Sequence, residues 1–253
     1  MHLLILAGTN EARTLIGSLK DDARVTITAS LAGVTPSPID LMVPTRKGGF
    51  GGAAGLADFC RSHAVDVIVD VTHPYAAQMS RNANDATTMI GGKLIRFIRP
   101  AWQAGKGDDW RYFASWQDMT KALPKGARVF LAGGSGALPA FNQLDHIDIW
   151  ARGLKKENVI TSNKFRFIES LPNKNSENEE ALFKTHGITH ICAKNSGGTA
   201  SIAKLHAARK LALPVWFLSR PDPECGDSGP IGTPDRFISG DVAEILRYIK
   251  GML

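Results

Sequence analysis

Short apolar segments alternate with amphipathic ones along most of this chain, and this alternation restricts the fold more than any other feature. Residues 3–7 form an uninterrupted apolar run, as expected of a strand that is buried on both faces of a parallel sheet. Residues 10–20 follow with apolar side chains at helical spacing, and residues 25–29 form the next apolar run. Strands that alternate with helices in this way are typical of a doubly wound sheet.

The alternation is interrupted at residues 101–112 and then resumes. Further strands are predicted at residues 65–71, 94–98, 128–132, 147–150, 188–193 and 214–218. Residues 98–100 and 218–221 both place Arg-Pro at a strand end, which indicates an internal repeat. We therefore predict an α/β protein with two Rossmann-like three-layer domains and mainly parallel sheets, at residues 1–103 and 104–253. The active site is expected in the cleft between the two domains.

The composition is that of a globular protein, with 43% hydrophobic and 21% charged residues. No apolar run approaches the ~20 residues that a membrane span needs, and no signal peptide is readable, so we expect a cytoplasmic protein that does not bind a membrane. Cys60, Cys192 and Cys225 are too far apart for a disulfide framework or a zinc site, which fits a reducing compartment. The seven histidines are dispersed as well, so no metal is expected.

The net charge is +6, and the cations are scattered singly or in pairs. Nucleic-acid binders usually cluster their cations with aromatic residues between them, so we expect no nucleic-acid partner. Dispersed positive charge suits a small polyanion, whose local concentration it raises, although a merely basic protein would have the same composition. The chain has no G-x-S-x-G elbow and no Walker loop, which argues against a hydrolase and an NTPase.

Two loops at neighbouring strand ends are suited to a nucleotide. In residues 7–13, Gly8 permits close backbone approach, and the helix behind it directs free N–H groups at an anion. An ordinary tight turn is the alternative, because this loop matches G-x-G-x-x-G only at Gly8. In residues 46–52, two cations precede a glycine-rich segment that can approach an anion closely. The predicted cofactor-binding residues are Gly8, Thr9, Asn10, Glu11, Arg13, Ser30, Arg46, Gly48, Gly49 and Thr72.

The end of the second strand indicates which dinucleotide would bind. That strand ends at Ser30, and not at the Asp or Glu that usually binds the ribose hydroxyls of NAD. A small hydroxyl with cations nearby suits a 2′-phosphate, so we expect NADP in preference to NAD. Arg46 and Lys47 are the candidate partners of that phosphate, and a solvated surface pair is the alternative.

Two further loops carry side chains that could act on a substrate or bind it. His73 lies between Thr72 and Pro74 at a strand end, and His73 and Tyr75 are the candidate catalytic residues. A hydrogen-bonded structural histidine is the alternative. In the second half, residues 194–198 are a candidate anion-binding loop, with a capped, solvated turn as the alternative. The predicted substrate-binding residues are Lys194, Asn195, Ser196, Gly197, Gly198 and Arg220.

Five motifs, taken together and in order, resemble the precorrin-6A reductase family of corrin-ring biosynthesis. They are residues 5–13 (ILAGTNEAR), 46–52 (RKGGFGG), 70–76 (DVTHPYA), 99–102 (RPAW) and 194–198 (KNSGG). The resemblance implies a two-domain enzyme that uses NADPH to reduce one double bond of the precorrin-6A macrocycle beside ring D, giving precorrin-6B in cobalamin biosynthesis. It also implies a substrate with many carboxylates, which suits loops that bind anions.

The resemblance leads to a hypothesis for the mechanism. NADPH would lie across the first two loops with its nicotinamide near residues 72–76, and the protein would mainly align the hydride donor with its acceptor. His73 or Tyr75 could donate the accompanying proton, as could solvent or the macrocycle itself. Replacing Arg13 or Arg46 should then raise the KM for NADPH with little change for NADH.

Two other kinds of protein are alternatives at this point. Another NADP-dependent reductase, related to the short-chain dehydrogenases, would need a Tyr-x-x-x-Lys motif, but none of Tyr75, Tyr112 and Tyr248 has a lysine four residues later. A non-enzymatic NADP-sensing protein would bind the cofactor without needing the second anion loop. The sequence leaves open the oligomeric state and whether the substrate carries cobalt.

Overall fold

The computed structural model describes residues 1–33, 40–142, 144–153, 165–221 and 235–253. These residues form two compact units: unit 1 comprises Met1–Pro100 and Pro221–Leu253, and unit 2 comprises Ala101–Arg220. Across the described ranges, no helix combines the length and the apolar character needed to cross a membrane. Cys225 lies outside these ranges, whereas Cys60 and Cys192 are buried thiols whose pKa is raised by burial, to about 11 for Cys60.

The helices and strands follow one another in the predicted alternating order. Unit 1 begins with β1 (His2–Leu6), α1 (Asn10–Leu19), β2 (Thr26–Leu31), β3 (Thr45–Lys47), α2 (Ala53–Ser62), β4 (Val67–Asp70), α3 (Ala77–Ile90) and β5 (Lys93–Phe97). Unit 2 contains β6 (Trp110–Phe113), α4 (Trp116–Ala122), β7 (Arg128–Ala132), α5 (Leu138–Phe141), β8 (Asp148–Gly153), β9 (Phe165–Glu169), α6 (Ser176–Thr185), β10 (His190–Lys194), α7 (Ala203–Lys210) and β11 (Val215–Leu218). The chain then returns to unit 1 with β12 (Asp235–Ser239) and α8 (Val242–Gly251).

Unit 1 is built around a parallel sheet with the strand order β12-β5-β4-β1-β2-β3. Its central strand β1 is covered on both faces, so that Leu3, Leu4 and Ile5 are 0% exposed. Leu3 and Ile5 pack with α1 and α8, whereas Leu4 packs with α2 and α3. Since successive side chains of a strand point to opposite faces, unit 1 has the three layers of a doubly wound fold.

Unit 2 has the same layered construction. Its sheet is also parallel and has the strand order β6-β11-β10-β7-β8-β9. Cys192 of the central strand β10 packs with α4 and α5, whereas Ile191 and Ala193 pack with α6 and α7 on the other face. The predicted fold class, two α/β units with parallel sheets in three layers, is confirmed.

The internal repeat predicted from the two Arg-Pro segments is visible in the topology. β5 and β11 occupy equivalent places, since each is the neighbour of an edge strand, β12 in unit 1 and β6 in unit 2. Each of these edge strands leads into a helix with a side-chain N-cap, Asp241 for α8 and Ser115 for α4. The segment after β5 therefore completes the sheet of unit 2, and the segment after β11 completes the sheet of unit 1.

This topology corrects the predicted extent of the second domain. Residues 104–253 were expected to form one continuous domain, but β12 pairs with β5, and α8 buries Ile245 and Ile249 in the core of unit 1. The first boundary, expected after residue 103, falls after Pro100. The alternation of strands and helices determines layers but does not specify which of two similar sheet edges a terminal strand joins, so the sequence pattern could not assign residues 221–253.

Candidate functional site

A cavity of about 390 Å³ opens in unit 1 at the carboxyl ends of β1, β2, β3 and β4. β1 has β2 on one side and β4 on the other, so the order of strands reverses beside it, where ligands of doubly wound folds bind. The volume is within the range of small-molecule sites. The cavity is lined by Leu6, Ala7, Gly8, Ser30, Leu31, Ala32, Gly33, Lys47, Gly48, Gly49, Thr72, His73, Ala76 and Met79.

The first predicted loop contributes Gly8 to the cavity and uses Thr9 to hold the loop in place. Gly8 has a φ of +123°, and no atom lies within 4 Å of the position that a Cβ would take, so the backbone is open to a ligand here. The buried Thr9 hydroxyl accepts a hydrogen bond from the N–H of Ala12 at 3.1 Å and donates to the carbonyl of Val71 at 2.8 Å. Thr9 therefore caps α1 and ties this loop to the residue after β4.

Five residues predicted to bind the cofactor do not line the cavity: Thr9 and Arg46, which hold the loops in place, and Asn10, Glu11 and Arg13. The carboxylate of Glu11 forms an ion pair with Arg99, which follows β5. Asn10 and Arg13 are exposed on the first turn of α1. A ligand larger than the cavity could reach them along the helix N-terminus, but the structure does not bring them to the pocket itself.

Arg46 organises the glycine-rich loop. Its Nη1 donates to the hydroxyl of Ser30 and to the carbonyl of Gly48, both at 2.8 Å, and its Nη2 donates to the carbonyl of Gly49 at 2.8 Å. The guanidinium carbon lies 3.7 Å from the ring centroid of Phe50. Partial burial lowers the pKa of Arg46 from its ordinary value, although an arginine remains charged at neutral pH. Arg46 therefore connects the end of β2 to the loop after β3.

Lys47 is the cation that reaches the cavity. It lines the pocket, it is exposed, and its ammonium group makes no hydrogen bond or ion pair with any residue in the described ranges. Ser30, on the same side of the pocket, is 6% exposed and accepts its hydrogen bond from Arg46. Since that bond uses a lone pair of Ser30, its hydroxyl proton can point at a ligand. The sequence predicted both Arg46 and Lys47 as partners of a 2′-phosphate, and the structure brings Lys47 to the pocket.

Asp70 supports the third loop, and it was not among the predicted site residues. It is 3% exposed at the end of β4. Its Oδ1 accepts from the N–H of Thr72 at 3.1 Å and from the Thr72 hydroxyl at 2.6 Å, and its Oδ2 accepts from Ser80 at 2.6 Å. Nε of Arg96 lies 3.4 Å from the same carboxylate. Asp70 therefore fixes Thr72, and with it the backbone that leads to His73.

Of the two candidate catalytic residues, His73 lines the cavity and Tyr75 does not. Nδ1 of His73 accepts a 3.3 Å hydrogen bond from the N–H of Tyr75, and the two rings are 5.7 Å apart. An accepting Nδ1 requires the neutral tautomer with its proton on Nε2. The contact orients the imidazole.

In unit 2, the loop at residues 194–198 continues from the last residue of β10. Asn195 is 2% exposed, and its side chain bridges the backbone of Trp102, accepting from its N–H at 2.9 Å and donating to its carbonyl at 3.0 Å. Nε of Arg220 donates to the carbonyl of Asn195 at 2.7 Å. The structure thus brings Arg220 to this loop, but Asn195 acts as a support and not as an exposed ligand group.

The remaining residues of this loop keep polar groups at the carboxyl edge of the sheet. Lys194 is half-buried, and this burial lowers the pKa of its amine. Gly197 has a φ of +69°, a conformation that favours glycine, and the Ser196 N–H donates to the carbonyl of Lys194 at 2.9 Å. A loop of this kind can present backbone N–H groups and cationic side chains to an anion.

A buried group of charges beside this loop was not predicted as part of any site. Nη1 of Arg152 donates to Glu179 Oε1 at 2.6 Å, and both residues are almost fully buried. Lys204, which is 6% exposed, donates to the carbonyl of Ser201 at 2.6 Å and lies 4.7 Å from the ring centroid of Trp102. The only signal in the sequence is a cation between apolar residues, on a strand for Arg152 and on a helix for Lys204.

No group of three or more His, Cys, Asp or Glu side chains is arranged to hold a metal ion within the described ranges. The polar groups of both units instead suit anions: a lysine, two hydroxyls and glycine backbone at the cavity of unit 1, and cations around the loop of unit 2.

Comparisons with known proteins identify the family of this chain. Residues 2–250 match the family model described as precorrin-6x reductase CbiJ/CobK. A precorrin-6A reductase of Rhodococcus erythropolis is 40% identical over 87% of this chain and 89% of its own length, and one of Rhodobacter capsulatus is 38% identical over 87% and 88%. A solved structure named CobK precorrin-6A reductase superposes with a TM-score of 0.88 at 35% identity, covering 99% of this chain and 96% of that one. The family resemblance of the five motifs is thus confirmed, and the chain belongs to the precorrin-6A reductase family.

Proposed function

We propose that this protein catalyses the NADPH-dependent reduction of precorrin-6A to precorrin-6B in cobalamin biosynthesis, as a cytoplasmic enzyme. The observation that carries the cofactor assignment is the lining of the unit 1 cavity. It contains Lys47 and the hydroxyl of Ser30 at the ends of β3 and β2, and no carboxylate among the described residues. A dinucleotide with a 2′-phosphate fits this lining, whereas the ribose of NAD would find no acidic partner there.

The cofactor would use the groups that the three loops hold in place. Gly8 leaves space for close approach of the pyrophosphate, and the N-terminus of α1 directs its N–H groups towards that anion. Lys47 and Ser30 would bind the 2′-phosphate, and Arg46 would keep Ser30 and the loop carbonyls in position. The nicotinamide would then lie towards Thr72 and His73.

NADPH supplies the hydride when it is bound, and the side chains of this protein orient it and handle the accompanying proton. His73 is the better placed of the two candidate donors, because it lines the cavity and Tyr75 does not. Tyr75 then acts through its backbone N–H as a positioning residue. Asp70 holds the loop through Thr72 and so determines where the imidazole lies.

The substrate would be recognised by its carboxylates at the loop of residues 194–198. Lys194 and Arg220 supply charge, and Ser196, Gly197 and Gly198 supply a hydroxyl and backbone N–H groups. Asn195 would contribute by holding the loop against Trp102. Charge-assisted hydrogen bonds of this kind suit a tetrapyrrole that carries many carboxylates.

The direct test is anaerobic incubation of the purified protein with NADPH and precorrin-6A. We expect oxidation of the nicotinamide together with a shift in the absorption spectrum of the macrocycle, and a much slower reaction with NADH. Binding of NADPH without turnover, under conditions where a related reductase turns over, would contradict the proposed function.

A further inference from the structure

Arg152, Glu179 and Lys204 form a buried charge cluster in unit 2. The Arg152–Glu179 pair has side chains that are 7% and 1% exposed, and the residue Lys204 is 6% exposed. Nε and Nη2 of Arg152 and Oε2 of Glu179 are buried without a hydrogen-bond partner among the described residues. The cluster thus contains two cations and one carboxylate, in surroundings where an unbalanced charge is costly.

Among the residues that the structure describes, neighbouring charged groups do not balance the cluster. On α6, Glu180 pairs with Lys210 at 3.0 Å, and in the segment after Trp102, Asp108 pairs with Arg209 at 2.7 Å. Lys194, at the end of β10, adds a further cation on the same edge of the sheet. Burial lowers the pKa of Lys204 to about 7, with Arg152 adding to this shift and Glu179 opposing it. A neutral Lys204 amine leaves Arg152 and Glu179 as a balanced pair.

Lys204 is connected to the loop of residues 194–198 along two routes. Its Nζ lies over the ring of Trp102, whose backbone is held by the side chain of Asn195. Its Nζ also donates to the carbonyl of Ser201, and the hydroxyl of Ser201 is 3.3 Å from that of Ser196. The charge on Lys204 therefore acts on groups that fix the loop, although the amine itself is not part of the loop.

We propose that Lys204 is a positioning residue for the anion-binding loop, and that its amine takes up a proton from the solvent when a substrate carboxylate binds at the loop. This inference rests on the substrate site proposed above. A bound carboxylate offsets the positive charge that protonation of Lys204 adds, so it favours the ammonium form, and by linkage the ammonium form favours the carboxylate. No covalent step is involved, and the proton comes from the buffer.

The proposal predicts a defined dependence on pH. Protonation of Lys204 is coupled to binding only where the free amine is neutral, at pH values above about 7. There the Kd for precorrin-6A should rise with pH by up to about tenfold per pH unit, which is the limit for binding coupled to one proton. The affinity for NADPH, which binds in unit 1, should not follow this dependence.

The test is anaerobic calorimetry of precorrin-6A binding to the full-length protein, without NADPH, at pH 7.5 in two buffers that differ in ionisation enthalpy. We expect the wild type to take up between about half a proton and one proton per ligand bound, given a lysine pKa near the working pH. Lys204→Arg keeps a permanent charge, so it should bind precorrin-6A without proton uptake and with a Kd that is flat in pH. Lys204→Met should bind more weakly, also without uptake. Lys184→Met, an exposed cation on α6, is the matched control and should behave as the wild type.

The outcomes separate this inference from the proposed substrate site. Equal proton uptake in the wild type and Lys204→Arg, or no uptake in the wild type, would overturn the role of Lys204 even if Lys204→Met fails to fold. If Lys194→Met leaves the affinity for precorrin-6A unchanged, the substrate site itself is wrong, and the inference about Lys204 is wrong with it. Weaker binding by Lys194→Met with no proton uptake in the wild type rejects the inference alone.

Discussion

Polar side chains at the strand ends of this protein have two uses, and contacts distinguish them. Thr9, Arg46 and Asn195 point their donors and acceptors at backbone groups of neighbouring loops and hold those loops in place. Ser30 and Lys47 line the cavity. The sequence places all of these residues correctly at the carboxyl edges of the sheets, because parallel strands bring their ends together. It could not separate the two uses, since a hydroxyl, amide or guanidinium group suits a ligand and a backbone carbonyl equally well.

The first prediction at the residue scale concerns the choice between NADPH and NADH. Lys47→Met should raise the KM for NADPH about tenfold, the loss of about 1.4 kcal/mol of binding energy, and leave the KM for NADH unchanged. Arg46→Met should raise the KM for both cofactors, because it releases Ser30 and the loop carbonyls. This differs from the selective effect on NADPH that the sequence predicted for Arg46. Steady-state kinetics with both cofactors measures this, with Lys20→Met as an exposed control at the far end of α1. A nonselective Lys47→Met would argue against a contact with the 2′-phosphate.

The second prediction at this scale concerns stability and pH. Between the lowered pKa of Lys204, about 7, and its ordinary value of 10.5, the unfolded chain binds a proton that the folded chain does not, so the free energy of unfolding of unit 2 should rise with pH. Below about pH 7 both states are protonated, and the cost of burying the charge is constant. Relative to the wild type, Lys204→Met should therefore gain most stability at low pH. Its free energy of unfolding should also rise less between pH 7 and pH 9. Urea unfolding at several pH values measures this, and identical slopes for wild type and variant would contradict it.

At the scale of elements, the strands that the sequence did not predict are β3, β6, β9 and β12, the outer strands of the two sheets. An edge strand pairs with another strand on one side only, and more of its side chains are exposed. It therefore lacks the continuous apolar run that is typical of a central strand. The central strands and helix α1 were predicted near their observed positions. Burial leaves a periodic pattern of apolar residues that local reasoning can detect.

The final helix α8 offers a prediction at this scale. Ile249 is 0% exposed in the core of unit 1, so Ile249→Ala should destabilise that unit by about 2–5 kcal/mol, whereas Lys250→Ala on the exposed side should have little effect. Tryptophan fluorescence reports unit 2 alone, since the five tryptophans are Trp102, Trp110, Trp116, Trp150 and Trp216. In Ile249→Ala, we expect NADPH binding to be lost at a lower temperature than in the wild type. The midpoint temperature of the change in tryptophan emission should be unchanged. If only the midpoint of the tryptophan emission shifted, α8 would stabilise unit 2 and not unit 1, and the prediction would be wrong.

At the scale of the whole molecule, unit 2 is an insertion between β5 and β12 of unit 1. All strands of the unit 2 sheet come from Ala101–Arg220, whereas unit 1 needs segments from both sides of the insertion. The sequence showed two similar series of strands and helices. Because β5 and β11 resemble each other, it could not show that the last strand and helix, β12 and α8, belong to unit 1. Only the pairing of β12 with β5 resolves the two possibilities.

A prediction about fragments follows from this arrangement. Residues 101–220 should fold alone, with cooperative unfolding and the tryptophan emission of the intact protein, because their sheet and both helical layers are complete. Residues 1–100 should bind NADPH only when residues 221–253 are joined to them, because α1 otherwise lacks its contact with α8. Calorimetry with NADPH on both versions of unit 1 measures this. Full NADPH affinity of residues 1–100 alone would show that the returning segment is dispensable.

The insertion also determines the order in which the molecule can be completed during translation. The ribosome makes the first hundred residues, then the whole of unit 2, and only afterwards the strand and helix that close the unit made first. Unit 2 can fold as soon as it leaves the exit tunnel. Unit 1 is thus begun first and finished last, with an open sheet edge at β5 during the interval.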